Sequence, residues 1–334
     1  MDYRLLVPAV AVWSVTAFGL VMPPGYTLGL AICSGAVASV GTLVCAGGRF
    51  GWDAVGLIIV VAGLAAVCAT SLAIRQEVRS DHPLAASAGK STVALTVRGD
   101  PVVVGPSSAG RVRLRVDVEQ VGSHRVPTAS ADLMGDLGEW SGLLPGQRVL
   151  TVARVRPPPE HSLLVATLTA QQPRVVGSPP AHQQVAGAIR ERLQVLAARA
   201  LDEDAAGLLP GLVLGDESSL DDGLRDDFRD AGLSHLTAVS GSNFAIVCGA
   251  ALLVVRSAGV PPRAAAVVGL VVILAFVVLV RPSPSVVRAA LMGAVGVLAL
   301  FASRRAQAFP ALGAAVVGGL LWWPELALQP GFAL

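Results

Sequence analysis

Apolar and polar positions divide this chain into three long apolar runs, a stretch of short alternating segments, two charged amphipathic pieces and a nearly continuous apolar tail. Residues 5–22, 28–46 and 54–74 are each long enough to cross a bilayer as a helix. Between about 75 and 182 the period changes to two. Val93, Leu95 and Val97 alternate, then Val112, Leu114, Val116 and Val118, then Val149, Val152 and Val155, then Leu164, Ala166 and Leu168. Gly, Pro and Ser clusters at 99–101, 105–110, 121–127 and 156–159 punctuate them. Short, half-buried antiparallel strands of this kind predict a small β-barrel. Residues 185–201 and 220–231 read as amphipathic helices, and further spans are predicted at about 235–255, 264–280, 286–302 and 309–323. The fold class is a polytopic α-helical membrane protein with a small β-barrel insert. The divisions are 1–74 (three spans), 75–182 (β domain), 183–234 (interfacial helices) and 235–334 (a second membrane region).

Charge gives the orientation. Arg4 precedes the first span and Arg49 lies between the second and third, which puts the N-terminus inside and the β domain outside. Arg75 and Arg79 oppose this locally, but a long translocated domain largely escapes the rule. Arg256 with Arg263, and Arg304 with Arg305, both fall on the inner side by the same count. The first run has the basic-then-apolar layout of a signal peptide; two more spans and no small-residue cleavage site make an uncleaved anchor the better reading.

Composition agrees with membrane residence: 53% of residues are apolar, 14% are charged, and the mean hydropathy is +0.65. Cys33, Cys45, Cys68 and Cys248 all lie in apolar runs, so neither a disulfide frame nor a metal site is implied. The five histidines lack metal-ligand spacing, Leu84 stands where a phosphate loop around Lys90 needs its first glycine, and Ala238 spoils a nucleophile elbow at Ser240. No cofactor, metal or catalytic residue is predicted.

The polar residues within apolar runs are the candidates for function. His235, Ser240, Gly241, Ser242 and Asn243 open the second membrane region, and Asn243 is the only asparagine in the chain. An amide there faces protein, water or a passing ligand, since hydrocarbon offers it no partner. Arg281 and Ser285 lie in an outward connection, and Arg288 just inside the next span either snorkels or lines a polar cavity. Arg111, Arg113 and Arg115 share one strand face, which is either solvated or tracks a phosphate backbone. The acidic cluster at 221–230 reads as a solvated face with internal Asp–Arg pairs, and Trp322-Trp323 as an interfacial anchor.

Leu209-Pro210-Gly211-Leu212-Val213-Leu214-Gly215-Asp216, the run from Phe228 to Gly241, Pro284-Ser285-Val286-Val287-Arg288-Ala289-Ala290-Leu291-Met292 and Pro330-Gly331-Phe332 together resemble the competence protein family ComEC/Rec2. That resemblance implies an inner-membrane channel for single-stranded DNA in natural transformation, with an OB-like insert outside. It also implies a DNA-receptor protein and a cytoplasmic motor as partners, membrane lipid as surroundings, and leaves self-association open. Ser242-Asn243-Phe244 stands where many relatives have a histidine, which implies hydrogen bonding in place of ionisation. The family's further spans and its His-x-His-x-Asp-His hydrolase signature are not in this sequence, so the chain reads as a truncated channel without nuclease activity. A permease for a small anionic or lipid-linked solute, or a non-catalytic membrane scaffold, are the alternatives from other classes.

Overall fold

The computed structural model describes residues 5–46, 52–85, 89–104, 110–233, 241–301 and 308–333. Contacts divide the chain into a helical unit (Met1–Glu77, Phe244–Leu274 and Ser283–Leu334) and a β unit (Val78–Asn243 with Ala275–Pro282).

In the β unit, period-two alternation builds strands β1 (Gly89–Val97), β2 (Val102–Val103), β3 (Arg111–Val121), β4 (His124–Asp136), β5 (Arg148–Arg156), β6 (Thr167–Ala170) and β7 (Arg174–Gly177). Five of them close a ring in the order β1–β3–β4–β6–β5 and back to β1, while β2 extends β3 and β7 extends β5. Only β4 and β6 run parallel; the other pairs of the ring are antiparallel. Closure leaves the ring no free edge and gives Val93, Leu95, Val97, Val112, Leu114, Val116 and Leu168 a common interior.

The interior corrects the predicted strands in two places. Along β5 the inward positions are Val149, Thr151, Ala153 and Val155, while Val152 points outward, because a strand alternates by two and not by three. Thr151 is tolerated inside because its hydroxyl lies 3.2 Å from the carbonyls of Gln171 and Gln172. Strand β4 was hidden in sequence by its small and polar residues, Ala129, Ser130, Ala131 and Asp132. At its end the strand is small for a reason: Trp140, at the end of short helix α4 (Leu137–Trp140), is fully buried and packs on Gly135. A Cβ on Gly135 would sit 2.5 Å from the Trp140 ring, and the indole N–H donates to the Gln171 carbonyl at 3.1 Å.

The chain then forms α5 (Ala181–Ala200), α6 (Glu203–Leu214) and α7 (Asp222–Asp230). Helix α5 keeps Glu191, Arg192 and Arg199 exposed as its polar face predicts, but buries the fourth member of that face. Arg190 is 8% exposed, whereas Val185 and Leu196 are 60% and 51% exposed. On α7, Arg225 pairs with Asp222 at 2.8 Å, the internal neutralisation the sequence suggested.

The helical unit contains α1 (Leu6–Val21), α2 (Pro24–Ala46), most of α3 (Trp52–Ser80), α8 (Gly241–Ser257), the first part of α9 (Pro262–Val280), α10 (Pro284–Phe301) and α11 (Ala308–Trp322). Among the described residues, Pro24–Cys45, Val55–Ser80 and Pro262–Val280 are long and apolar enough to cross a membrane, and four shorter helices are equally apolar in character. Without a hydrophobic force between helices in lipid, close backbone approach and side-chain hydrogen bonds hold such a bundle. Gln76 shows both: its amide donates to the Gly19 carbonyl at 2.9 Å and accepts from Thr27 at 2.7 Å, joining α3 to α1 and α2. After α11 the chain folds back as a 3₁₀ turn (Pro324–Leu328) and α12 (Pro330–Ala333), and Phe332 packs against Gly319.

Two consequences are measurable in the β unit. Gly135→Ala forces the Trp140 ring to move and is expected to cost about 1–3 kcal/mol, read as lost amide protection along β4 in hydrogen exchange. Buried His82 accepts the Leu84 N–H on Nδ1 and lies 3.2 Å from the Pro127 carbonyl with Nε2. Desolvation holds its pKa below the ordinary 6.5, with the Pro127 bond opposing more weakly. The unfolded chain therefore binds this proton first: stability from neutral His82 is intact above about pH 6.5 and is lost as pH falls below it. Thermal melts from pH 8 to 5 are expected to show this fall in wild type and a shallower one in His82→Gln.

Candidate functional site

The motif Leu209–Asp216 ends a helix. Gly215 adopts φ 67°, which lets its N–H return to the Gly211 carbonyl and the Asp216 N–H to that of Pro210. Side chains serve two further carbonyls of the last turn. The Asn243 amide donates to the Leu212 carbonyl at 2.9 Å. Arg190 Nη1 lies 3.2 Å from the Leu214 carbonyl. The same Nη1 lies 3.1 Å from the Leu279 carbonyl at the end of α9.

Asp216 is turned back onto this arginine. Its Oδ2 lies 3.1 Å from Arg190 Nη2 and 3.0 Å from the Gln194 amide, and its Oδ1 accepts the Ser218 hydroxyl at 2.6 Å. Asp100, in the β1–β2 connection, completes the cluster: Oδ2 is 3.1 Å from Arg190 Nη2, and both oxygens face Arg281 Nε at 3.0 and 3.1 Å. Arg281 also donates Nη1 to the Gln183 side chain. Its backbone φ of 73° is unusual for a residue with a Cβ. Two guanidiniums and two carboxylates thus interlock in the β unit, with Arg190 and Arg281 side chains only 9% and 11% exposed.

In the helical unit Arg288 donates to the Phe332 carbonyl at 2.7 Å, so the Pro330-Gly331-Phe332 motif and the Arg288 motif meet through one hydrogen bond. Ser285 Oγ lies 3.2 Å from Ser283 Oγ, at the start of α10. Phe244 is buried against Gly293. Gly241 and Ser242 open α8, with Ser242 exposed; His235 and Ser240 lie outside the described residues.

The basic strand face is split. Arg111 and Arg113 are exposed, whereas Arg115 pairs with Asp132 at 2.8 Å. Register places other exposed cations beside them. Lys90 stands opposite Arg154, Arg154 opposite Thr169, Thr169 beside Met134, and Met134 opposite Arg113, forming an outward belt across five strands. Arg156 follows two residues along β5. The alternation Arg154-Val155-Arg156 was the available signal for this second set, and it was missed in favour of β3 alone. Glu119 lies further along β3, away from the belt, its carboxyl held below the usual range first by the Thr96 hydroxyl and then by Arg148. Trp140, the only aromatic side chain between residues 89 and 180, is buried, so no stacking surface accompanies the belt.

Residues 212–334 match the family model described as competence protein. The ComE operon protein 3 of Bacillus subtilis (strain 168) is 27% identical over 134 residues, a match covering 40% of this chain and 17% of that relative. No solved structure matches. The α6 cap, the α8 start and the Arg288–Phe332 bond thus lie in or beside the matched region, and residues 212–334 carry a domain similar to that of the competence protein family.

Proposed function

We propose that this chain is a component of an inner-membrane channel that takes up single-stranded DNA for transformation, with its barrel outside the membrane as an OB-type guide. The match of residues 212–334 to the competence family carries this reading. The barrel supports it through its exposed cations Lys90, Arg111, Arg113, Arg154 and Arg156. Phosphates attracted to such a belt displace counterions, and contacts without stacking are weak enough to release a moving strand. Among the membrane motifs, Gly241 and Ser242 offer a small, neutral, hydrogen-bonding surface to a strand. Asn243, Arg281 and Arg288 each tie a separate backbone segment in place through the bonds described above. The role is translocation and not catalysis, and the drive comes from a cytoplasmic motor.

Binding of labelled oligo(dT) to the full chain in detergent across a salt series tests the guide. Arg113→Ala, Arg154→Ala and Arg156→Ala are each expected to flatten the slope of log K against log salt by about 0.7. Arg115→Ala, which removes a partner of Asp132, is expected to leave that slope nearly unchanged. Saturable uptake of a small anion with no DNA binding would transfer the assignment to a permease. Orientation has its own test. With the four cysteines replaced by serine, Ser123→Cys in the exposed β3–β4 turn is expected to react with a membrane-impermeant maleimide from outside intact cells. Labelling only after lysis would place the barrel inside.

A further inference from the structure

We propose that the Arg190–Arg281 pair is a binding site for a phosphate oxyanion, held closed in this structure by the Asp100 carboxylate. Three observations lead there. The first is convergence: guanidiniums from α5 and from the end of α9 meet on one carboxylate, Arg281 through Nε at 3.0 and 3.1 Å and Arg190 through Nη2 at 3.1 Å. Paired arginines of this kind match phosphate as well as carboxylate geometry.

The second is an unfilled donor. A carboxylate that forks onto the side of a guanidinium places one oxygen on Nε and the other on Nη2. Asp100 instead puts both oxygens on Nε, and Arg281 Nη2 is left as a buried side-chain nitrogen without a hydrogen-bond partner among the described residues. An unsatisfied buried donor calls for an explanation. A tetrahedral phosphate has the oxygens to fill Nε and Nη2 together while a further oxygen faces Arg190 Nη2.

The third is access. The Asp100 side chain is 27% exposed, against 9% and 11% for the two arginines, so the carboxylate is the outermost member and its departure uncovers the pair. Asp216 remains on Arg190 with Gln194 as its second donor, so the site left behind has two guanidiniums and one carboxylate and attracts an anion. Asp100 lies beside Gly99, where an added Cβ would meet nothing within 4 Å, so the space on that side of the connection is open. That the anion is a DNA phosphate rests on the proposed function; the site itself does not.

The probe is inorganic pyrophosphate, titrated calorimetrically into the full chain in detergent. Asp100→Asn is expected to tighten binding at least tenfold, and Arg281→Gln in the same chain to abolish the gain. Asp216→Asn makes the same change in net charge but leaves Asp100 on Arg281, and is expected to gain less than threefold. Equal tightening by the two Asn variants would reduce the effect to general charge and overturn the site. The wild type provides a check that needs no substitution: saturating pyrophosphate is expected to speed hydrogen exchange in residues 98–104 as Asp100 leaves, and unchanged exchange counts against the proposal. Oligo(dT) run in parallel separates the two readings. If pyrophosphate shows the Asp100→Asn gain and oligo(dT) does not, the anion site stands and its assignment to DNA falls.

Discussion

A helix that stops inside a largely apolar protein leaves its last carbonyls without donors, and most of the chemistry-bearing residues of this chain answer that constraint. Asn243 and Arg190 take two carbonyls of α6, and Arg190 takes one of α9 as well. Arg288 takes the Phe332 carbonyl, Trp13 takes that of Ala327 at 2.8 Å, and Arg75 takes that of Trp322 at 3.1 Å. Each of these donors is long, so one side chain reaches a neighbouring element and fixes it. An unmade bond of this kind costs about 1–3 kcal/mol in a buried setting, more when the surviving partner is charged. Removing one donor therefore loosens two elements together. The backbone irregularities, namely the Gly215 cap, the Arg281 left-handed residue and the turn after Trp322, are stable only because these donors exist.

This view changes what the membrane motifs mean. Sequence reasoning read Asn243, Arg281 and Arg288 as candidates for a polar path, because a polar group in an apolar run must face something. The premise is sound, but a backbone carbonyl satisfies it as well as a ligand does. Arg288 was read as snorkelling or lining a cavity; bonding to Phe332 is a third solution that depends on a partner 44 residues away. No periodicity encodes such a pair. Asp100 was equally silent, since an aspartate before proline in a Gly-rich turn looks like ordinary turn chemistry. Its meaning appears only when α5 and the end of α9 reach it.

The barrel was legible where alternation was strong and illegible where packing demanded small residues. Val112 to Val118 announce β3 directly, whereas β4 pairs with it along most of its length yet carries Ala, Ser, Asp and Gly. At Gly135 the cause is Trp140, whose ring occupies the volume that a larger side chain there would fill. On helix α5 hydropathy grouped Arg190 with the polar face, yet Arg190 is buried because four acceptors on three segments outweigh the cost of burying one guanidinium. Hydropathy ranks residues singly and has no place for a charge with a full set of partners.

On the proposed function, the pairing pattern on the barrel bears on how a strand would be gripped and let go. Arg115 and Arg148 are paired with Asp132 and Glu119, whereas Arg111, Arg113, Arg154, Arg156 and Lys90 are exposed cations that such a strand would meet. Were every cation free, the summed attraction would hold one stretch of DNA in place at low salt. Interspersed carboxylates lower that attraction without removing the belt, and the lack of an aromatic platform removes the stacking term of about 1–3 kcal/mol per base. What would remain on that reading is a set of similar, individually weak phosphate contacts. Passage requires that quality, since a strand that exchanges one such contact for the next crosses small barriers at each step.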